Sequence, residues 1–202
     1  MLRFKRTSEF LEWLRKLKDR DAKAKIEAHL DYCELKGSLL GDTKPVGDSI
    51  YEMRFHFGPG YRIYYARSGS EIYLLLIGGD KRKQQVDIKK SQETIQGILR
   101  IGREKKMTKK YQDYDTSEFL ETEDDIARYL NAVAEYNDPE MFQTALGKVA
   151  KARGMSSIAK EANVSRESLY RSLSAEGNPS FQTISKVLAS MGLRLTIQPA
   201  EA

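Results

Sequence analysis

The 202-residue chain is short of the residues that staple a fold or hold a metal. It has one cysteine, Cys33, and two histidines, His29 and His56. A single thiol excludes an internal disulfide and a Cys-based zinc site, and it fits a reducing cytoplasm. No convincing cluster of metal ligands stands out, so neither a metal nor another cofactor is expected. Long apolar runs are missing too: none approaches the roughly 20 residues of a membrane helix. Met1-Leu2-Arg3-Phe4-Lys5-Arg6 is basic but lacks the apolar stretch and cleavage site of a signal peptide. These absences predict a soluble cytoplasmic protein with no membrane partner. The length suits one large domain or two small ones.

Charge is plentiful and unevenly placed. The net charge is +5, yet residues 1–106 hold 23 Lys/Arg against 15 Asp/Glu. Residues 111–140 hold 10 acids and one base, Arg128, and residues 148–194 hold 8 bases and 3 acids. The order is basic, acidic, basic. A basic surface suits nucleic acid, and an acidic segment following it suits covering that surface. Simple solvation of helices would leave the same blocks.

The first half reads as helix, helix, three strands, helix. Behind a cap at Thr7 or Ser8, residues 7–20 place Phe10, Leu11, Leu14 and Leu17 at helical spacing. Residues 21–36 predict a second helix, closed by Gly37. Residues 37–49 read as loop, and Leu2-Arg3-Phe4 as a candidate edge strand. Ser68-Gly69-Ser70 is a turn, and Glu71 to Ile77 a strand buried on both faces. Residues 86–100 form a closing helix, and the polar run 101–117 reads as a linker.

Residues 50–66 form a β-hairpin around Gly58-Pro59-Gly60. A loop at residues 58–60 sets His56 opposite Arg62 and Arg54 opposite Tyr64. Side chains alternate across a strand, so Met53, Phe55, Phe57, Tyr61, Ile63 and Tyr65 share an apolar face. The other face gathers Glu52, Arg54, His56, Arg62 and Tyr64. Cations, an imidazole, a carboxylate and a phenol on one rigid surface suit phosphate chemistry.

The second half is helical in pattern. Thr122-Glu123-Asp124-Asp125 opens one helix, with Ile126, Tyr129, Leu130 and Val133 on a face, and Asn137-Asp138-Pro139 separates it from the next. Residues 156–173 look like a helix-turn-helix. Asn163 suits the tight turn, and Ser165 caps the second helix. Ser165, Arg166, Glu167, Ser168, Tyr170 and Arg171 then lie where a recognition helix meets base edges and phosphates. A last helix runs from Thr183 to Met191, and Leu193 to Ile197 alternates like a strand that pairs between subunits.

Two motif sets carry a resemblance. Glu52-Met53-Arg54, Gly58-Pro59-Gly60-Tyr61-Arg62-Ile63-Tyr64, Gly78-Gly79-Asp80-Lys81 and Gln85-Val86-Asp87-Ile88 resemble phage-type killer proteins of the RelE/ParE toxin superfamily, close to HigB. Glu123-Asp124-Asp125-Ile126-Ala127, Ala152-Arg153-Gly154-Met155, Ser165 to Tyr170 and Gly177-Asn178-Pro179-Ser180-Phe181 are similar to the matching HigA-type antidotes. In that family the two are usually encoded by separate, adjacent genes; here they share one chain, which departs from the pattern. The implied fold is an α+β toxin domain at residues 1–100, with a helical hairpin packed on a small antiparallel sheet. A linker at 101–117 and an all-α helix-turn-helix antitoxin domain at 118–202 follow.

The resemblance implies a ribosome-dependent, metal-independent mRNA endonuclease, in which the RNA's own 2′-hydroxyl attacks the neighbouring phosphate. Such a reaction needs a base, donors for phosphorane charge, and an acid at the leaving oxygen. Arg54 and Arg62 fit a phosphate clamp. Lys81 and Lys83 fit added charge stabilisation, and Glu52, His56 or Tyr64 the proton transfers. All but Arg54 have a plainer role: an Arg62–Glu52 ion pair, a capping His56, a packing Tyr64, a solvated Lys81–Lys83 loop. The implied partners are mRNA on the ribosome, operator DNA, an intramolecular toxin–antitoxin contact and a second copy in a homodimer. A ParE-like gyrase toxin and a non-catalytic DNA-binding regulator are the alternatives.

Overall fold

The computed structural model describes residues 2–68, 72–103 and 111–197. The chain divides into two compact units, Met1–Asp115 and Thr116–Ala202. The first is built on a sheet; the second is helical.

The sheet unit runs β1 (Arg3–Thr7), α1 (Ser8–Lys16), α2 (Arg20–Lys36), β2 (Asp42–Gly47), β3 (Ile50–Arg54), β4 (Tyr61–Ser68), β5 (Ile72–Asp80), a 3-10 turn (Lys81–Lys83), α3 (Gln84–Arg103) and β6 (Tyr111–Asp113). Local chemistry explains the helix starts. Thr7 accepts from the Phe10 amide, and Asp19 accepts from the Ala22 amide. Gly37 closes α2 at φ 65°, where a side chain would be strained.

The six strands are ordered β2-β3-β4-β5-β1-β6. β1 runs parallel to β5, and the other pairings are antiparallel. The expected small antiparallel sheet is therefore larger and mixed. Residues 42–47, expected as loop, form edge strand β2. Pro45 hid it, but an edge strand tolerates a proline, and the register shifts between Pro45 and Gly47. The Leu2-Arg3-Phe4 strand is internal rather than an edge, because β6 pairs on its outer side.

β6 falls inside the stretch expected as linker. Its place is fixed by Lys5, which lies 3.4 Å from Asp113 and stacks over the Tyr111 ring. Tyr114 then donates its amide to Phe4 O and packs edge-on against Phe10. The Ser68-Gly69-Ser70 turn and the linker residues 104–110 fall partly or wholly outside the described residues.

Helices cover both sheet faces. Neighbouring glycines on β5 show it directly: a Cβ at Gly78 would lie 2.1 Å from Trp13 of α1, and one at Gly79 would lie 2.0 Å from the Asp87 carboxylate of α3. The α1/α2 face buries Met53, Ile63, Tyr65 and Leu75. On the α3 face, Ile50, Tyr64, Ala66, Leu74, Leu76 and Ile98 form a second apolar cluster. Leu74 to Leu76 are accordingly buried on both faces, as expected.

The helical unit runs through a 3-10 turn (Thr116–Phe119), α4 (Glu123–Ala134), α5 (Pro139–Arg153), α6 (Met155–Glu161), α7 (Arg166–Ser172) and α8 (Phe181–Ser190). Thr122 and Asp125 make a reciprocal capping box, and Asp138 caps α5 ahead of Pro139. Ile126, Tyr129, Leu130 and Val133 are buried together with Leu146, Val149, Leu169 and Val187. No strand forms over Leu193–Ile197 among the described residues, and Leu195 and Ile197 are exposed.

Candidate functional site

The hairpin register is shifted by two from the expected one. Arg54 faces Arg62, Met53 faces Ile63 and Glu52 faces Tyr64. A shift of two preserves parity, so the expected division into two faces survives. The loop is longer: His56 and Phe57 lie in it rather than in strand β3.

Cross-strand neighbours then build one row over four strands. Asp42 on β2 faces Arg54 on β3, Arg54 faces Arg62 on β4, and Arg62 faces Gly79 on β5. Asp87 of α3 closes the row above Gly79, where no side chain blocks it. The two predicted arginines are thus brought together, with an acid at each end.

The row has a buried and an open part. Arg62 is 6% exposed and Glu52 and Tyr64 are fully buried. Arg62 Nη1 donates to Tyr61 O at 2.9 Å and reaches Phe55 O at 3.3 Å. Its Nε lies 3.5 Å from Glu52 Oε1. The same Oε1 accepts from Gln84 Nε2 at 2.9 Å and from the Tyr64 hydroxyl at 3.2 Å. Burial, then the Glu52 charge, pushes the Tyr64 phenol far above its ordinary value. Glu52 and Tyr64 therefore brace Arg62 from beneath α3, and no solvent path reaches them. The plainer role for this pair, an ion pair plus packing, is the one the geometry displays, although it lies in the interior rather than on the surface.

The open part holds Arg54 and His56. Asp42 joins them: its Oδ1 accepts from Arg54 Nη2 at 2.5 Å, and its Oδ2 lies 2.8 Å from His56 Nε2. Those two hydrogen bonds, Arg54's first, hold the Asp42 carboxyl below its ordinary value. The His56 side chain is 71% exposed. Lys81 and Lys83 are exposed on the 3-10 turn, and the Lys81 amide donates to Gly60 O across the Gly-Pro-Gly turn. Alongside lies a cleft of about 750 Å³ lined by Trp13, Gly78, Gly79, Lys83, Asp87 and Lys90.

Asp42 and Asp87 were given no role by sequence reasoning. Asp42 sat in a stretch whose glycines and proline read as loop. Two adjacent glycines inside a strand were the available sign of Asp87, since they mark close approach from both faces.

In the helical unit, Ser165 accepts from the Ser168 amide at 3.0 Å and caps α7. Asn163 before it takes φ 56°, the left-handed turn expected of it. Ser165, Arg166, Glu167, Ser168, Tyr170 and Arg171 are all exposed along one short helix, while Leu169 is buried. Among the described residues, no group of His, Cys, Asp and Glu is arranged to hold a metal. No helix among them is long and apolar enough to cross a membrane.

Residues 12–100 match the family described as "Phage derived protein Gp49-like", and residues 110–199 match the one described as "Probable addiction module antidote protein". Two curated relatives from Haemophilus influenzae, each named "Uncharacterized protein", are 42% identical to this chain over 92 and 97 residues. Those stretches are 46% and 48% of this chain but 95% and 96% of the relatives, which are thus about half its length. No solved structure is significantly similar to it. The chain belongs to the Gp49-like family through its first half and to the addiction module antidote family through its second, and so carries both domains of a toxin–antitoxin module.

Proposed function

We propose that the sheet unit is a metal-independent endoribonuclease acting on mRNA at the ribosome, and that the helical unit holds it silent within the same chain. The carrying observation is the row that sets Arg54 beside Arg62, with Lys81 and Lys83 on the 3-10 turn that follows β5. Guanidinium donors on a rigid sheet stabilise the charge of a pentavalent phosphorus without reorganising. Arg54, half open, would contact the phosphate; Arg62, braced by Glu52 and Tyr64, would keep the local field positive. Lys81 and Lys83 would add charge, and His56 is the one proton carrier of the three candidates that solvent reaches.

The helical unit would bind operator DNA through a helix-turn-helix made of α6 and α7, and repress transcription as a homodimer on two half-sites. Ser165, Arg166, Glu167, Ser168, Tyr170 and Arg171 would meet the DNA. An intramolecular toxin–antitoxin contact would keep the nuclease latent.

Expression of residues 1–115 alone, with and without residues 116–202 supplied separately, tests the reading. Growth arrest with cleavage inside translated codons, relieved by the second piece, is expected. A folded 1–115 fragment that leaves translation and growth untouched would sink it. The internal engagement of Arg62 favours one second reading, a ParE-like gyrase-directed toxin, which needs no phosphate clamp. Full toxicity of Arg54→Ala without RNA cleavage would select that one. No toxicity at all from a folded fragment would leave a non-catalytic DNA-binding regulator.

A further inference from the structure

Asp42 is a carboxylate with two oxygens and two partners on the proposed working face. Oδ1 takes Arg54 Nη2 at 2.5 Å and Oδ2 takes His56 Nε2 at 2.8 Å. An ionised carboxylate only accepts, so the nitrogen facing it carries the hydrogen. In a neutral imidazole the lone pair is then at Nδ1. No described residue partners that nitrogen, and the side chain is 71% exposed. The chain's other histidine shows the contrast. His29 is half-buried, lies 3.2 Å from Leu40 O through Nε2, packs edge-on against Phe55, and has its pKa lowered by burial.

The local fold supplies this arrangement. β2 pairs with β3 so that Asp42 sits directly opposite Arg54 at the end of the ladder. The chain leaves β3 at Arg54, and two residues later His56 comes within reach of the same carboxylate. A base and a phosphate donor are thereby tied to one rigid anchor on a sheet edge.

We propose that Asp42 is a positioning residue for RNA cleavage: it holds His56 as the Nε2–H tautomer, leaving Nδ1 as the base, and it pins Arg54 beside that base to meet the phosphate. The proposal rests on the ribonuclease reading given above. In the step, His56 Nδ1 takes the proton of the 2′-hydroxyl. The 2′-oxygen bonds to the adjacent phosphorus, and the bond from phosphorus to the 5′-oxygen breaks. The 5′-oxygen leaves with a proton from water, and the imidazolium returns its proton to solvent. The products are a 2′,3′-cyclic phosphate and a 5′-hydroxyl, and no co-reactant is consumed. RNA rather than DNA is the substrate class, because the attacking group is the RNA's own 2′-hydroxyl.

Two measurements test it. The first uses the intact chain: nitrogen-15 NMR of His56 above its titration range is expected to show one tautomer, becoming a mixture in Asp42→Asn. An unchanged pattern overturns the proposal. The second uses the full chain nicked at a protease site inserted between Asp115 and Thr116, the boundary of the two units, and assayed on translating ribosomes after its pieces are separated. There Asp42→Asn should lower kcat roughly 10- to 100-fold with KM within about twofold, and Asp42→Glu should recover part of the loss. Both variants are checked for an unchanged circular dichroism spectrum, and either one suffices. An active wild type matched by both variants overturns the proposal alone. An inactive wild type overturns the ribonuclease reading, and this proposal with it.

Discussion

Asp87 carries a carboxyl that water barely reaches: it is 5% exposed, and its Oδ2 has no hydrogen-bond partner among the described residues. Burial raises its pKa, against the pull of Lys90 and Lys83. The folded state therefore holds that proton more tightly than the unfolded chain, whose aspartates titrate near ~3.9. Stability from this group is greatest below the unfolded value and is lost as pH rises through the folded one. Asp87→Asn should therefore melt higher than wild type at pH 7 and lose that advantage below about pH 4. An equal gain at both pH values would show that ionisation is not the cause. Glu52 gives the opposite case. Removing it leaves Arg62 buried without its counter-charge, so Glu52→Ala should destabilise the sheet unit by about 3–5 kcal/mol in urea titrations. A loss under 1 kcal/mol would mean that Arg62 finds another partner. Which face each of these residues takes was legible from strand alternation alone. Depth was not, because it depends on α3 laying Gln84 and Asp87 over the polar row, and the Gln84–Glu52 contact spans 32 residues.

At the scale of elements, helices were the most legible, because their caps are local. Thr7, Gly37, Thr122 and Ser165 each stand where a side chain or a positive φ ends the helix. Strands were less so. β2 was hidden by Pro45, and the hairpin loop was set too tight around Gly-Pro-Gly, because register depends on the partner strand as much as on the turn. A glycine in the loop between α7 and α8 carries the next prediction. A Cβ at Gly177 would lie 2.3 Å from Ser172 O and 2.5 Å from Arg171 O, both backbone atoms that cannot swing aside. Gly177→Ala should therefore destabilise the helical unit by about 1–3 kcal/mol. Because those carbonyls end α7, the same variant should weaken any binding by Arg166 and Arg171. Calorimetry and a gel shift on upstream DNA check the two effects, and a neutral melting point would refute the first.

For the whole molecule, the two motif sets fall within two family matches, residues 12–100 and 110–199. The division at residue 115 falls inside the stretch expected as linker, part of which is folded, because a short polar strand has no periodicity to betray it. Tyr111–Asp113 reads as linker in isolation and becomes β6 only beside β1. A fragment ending at residue 100 leaves the outer edge of β1 unpaired, whereas one ending at residue 115 keeps it covered. The shorter fragment should aggregate at concentrations where the longer stays monomeric, as light scattering would show. Equal behaviour would mean that β6 does not protect the edge.

The antidote family's match begins at residue 110, one residue before that strand. Heredity and architecture are therefore cut at different places. A recombination event at the family boundary would carry the sheet's last strand away with the neighbouring lineage and return a foreign one in its stead. Tyr111, Gln112 and Asp113 would then have to suit Thr7, Arg6 and Lys5 of a stranger. Three residues would then decide whether the outer edge of β1 is covered.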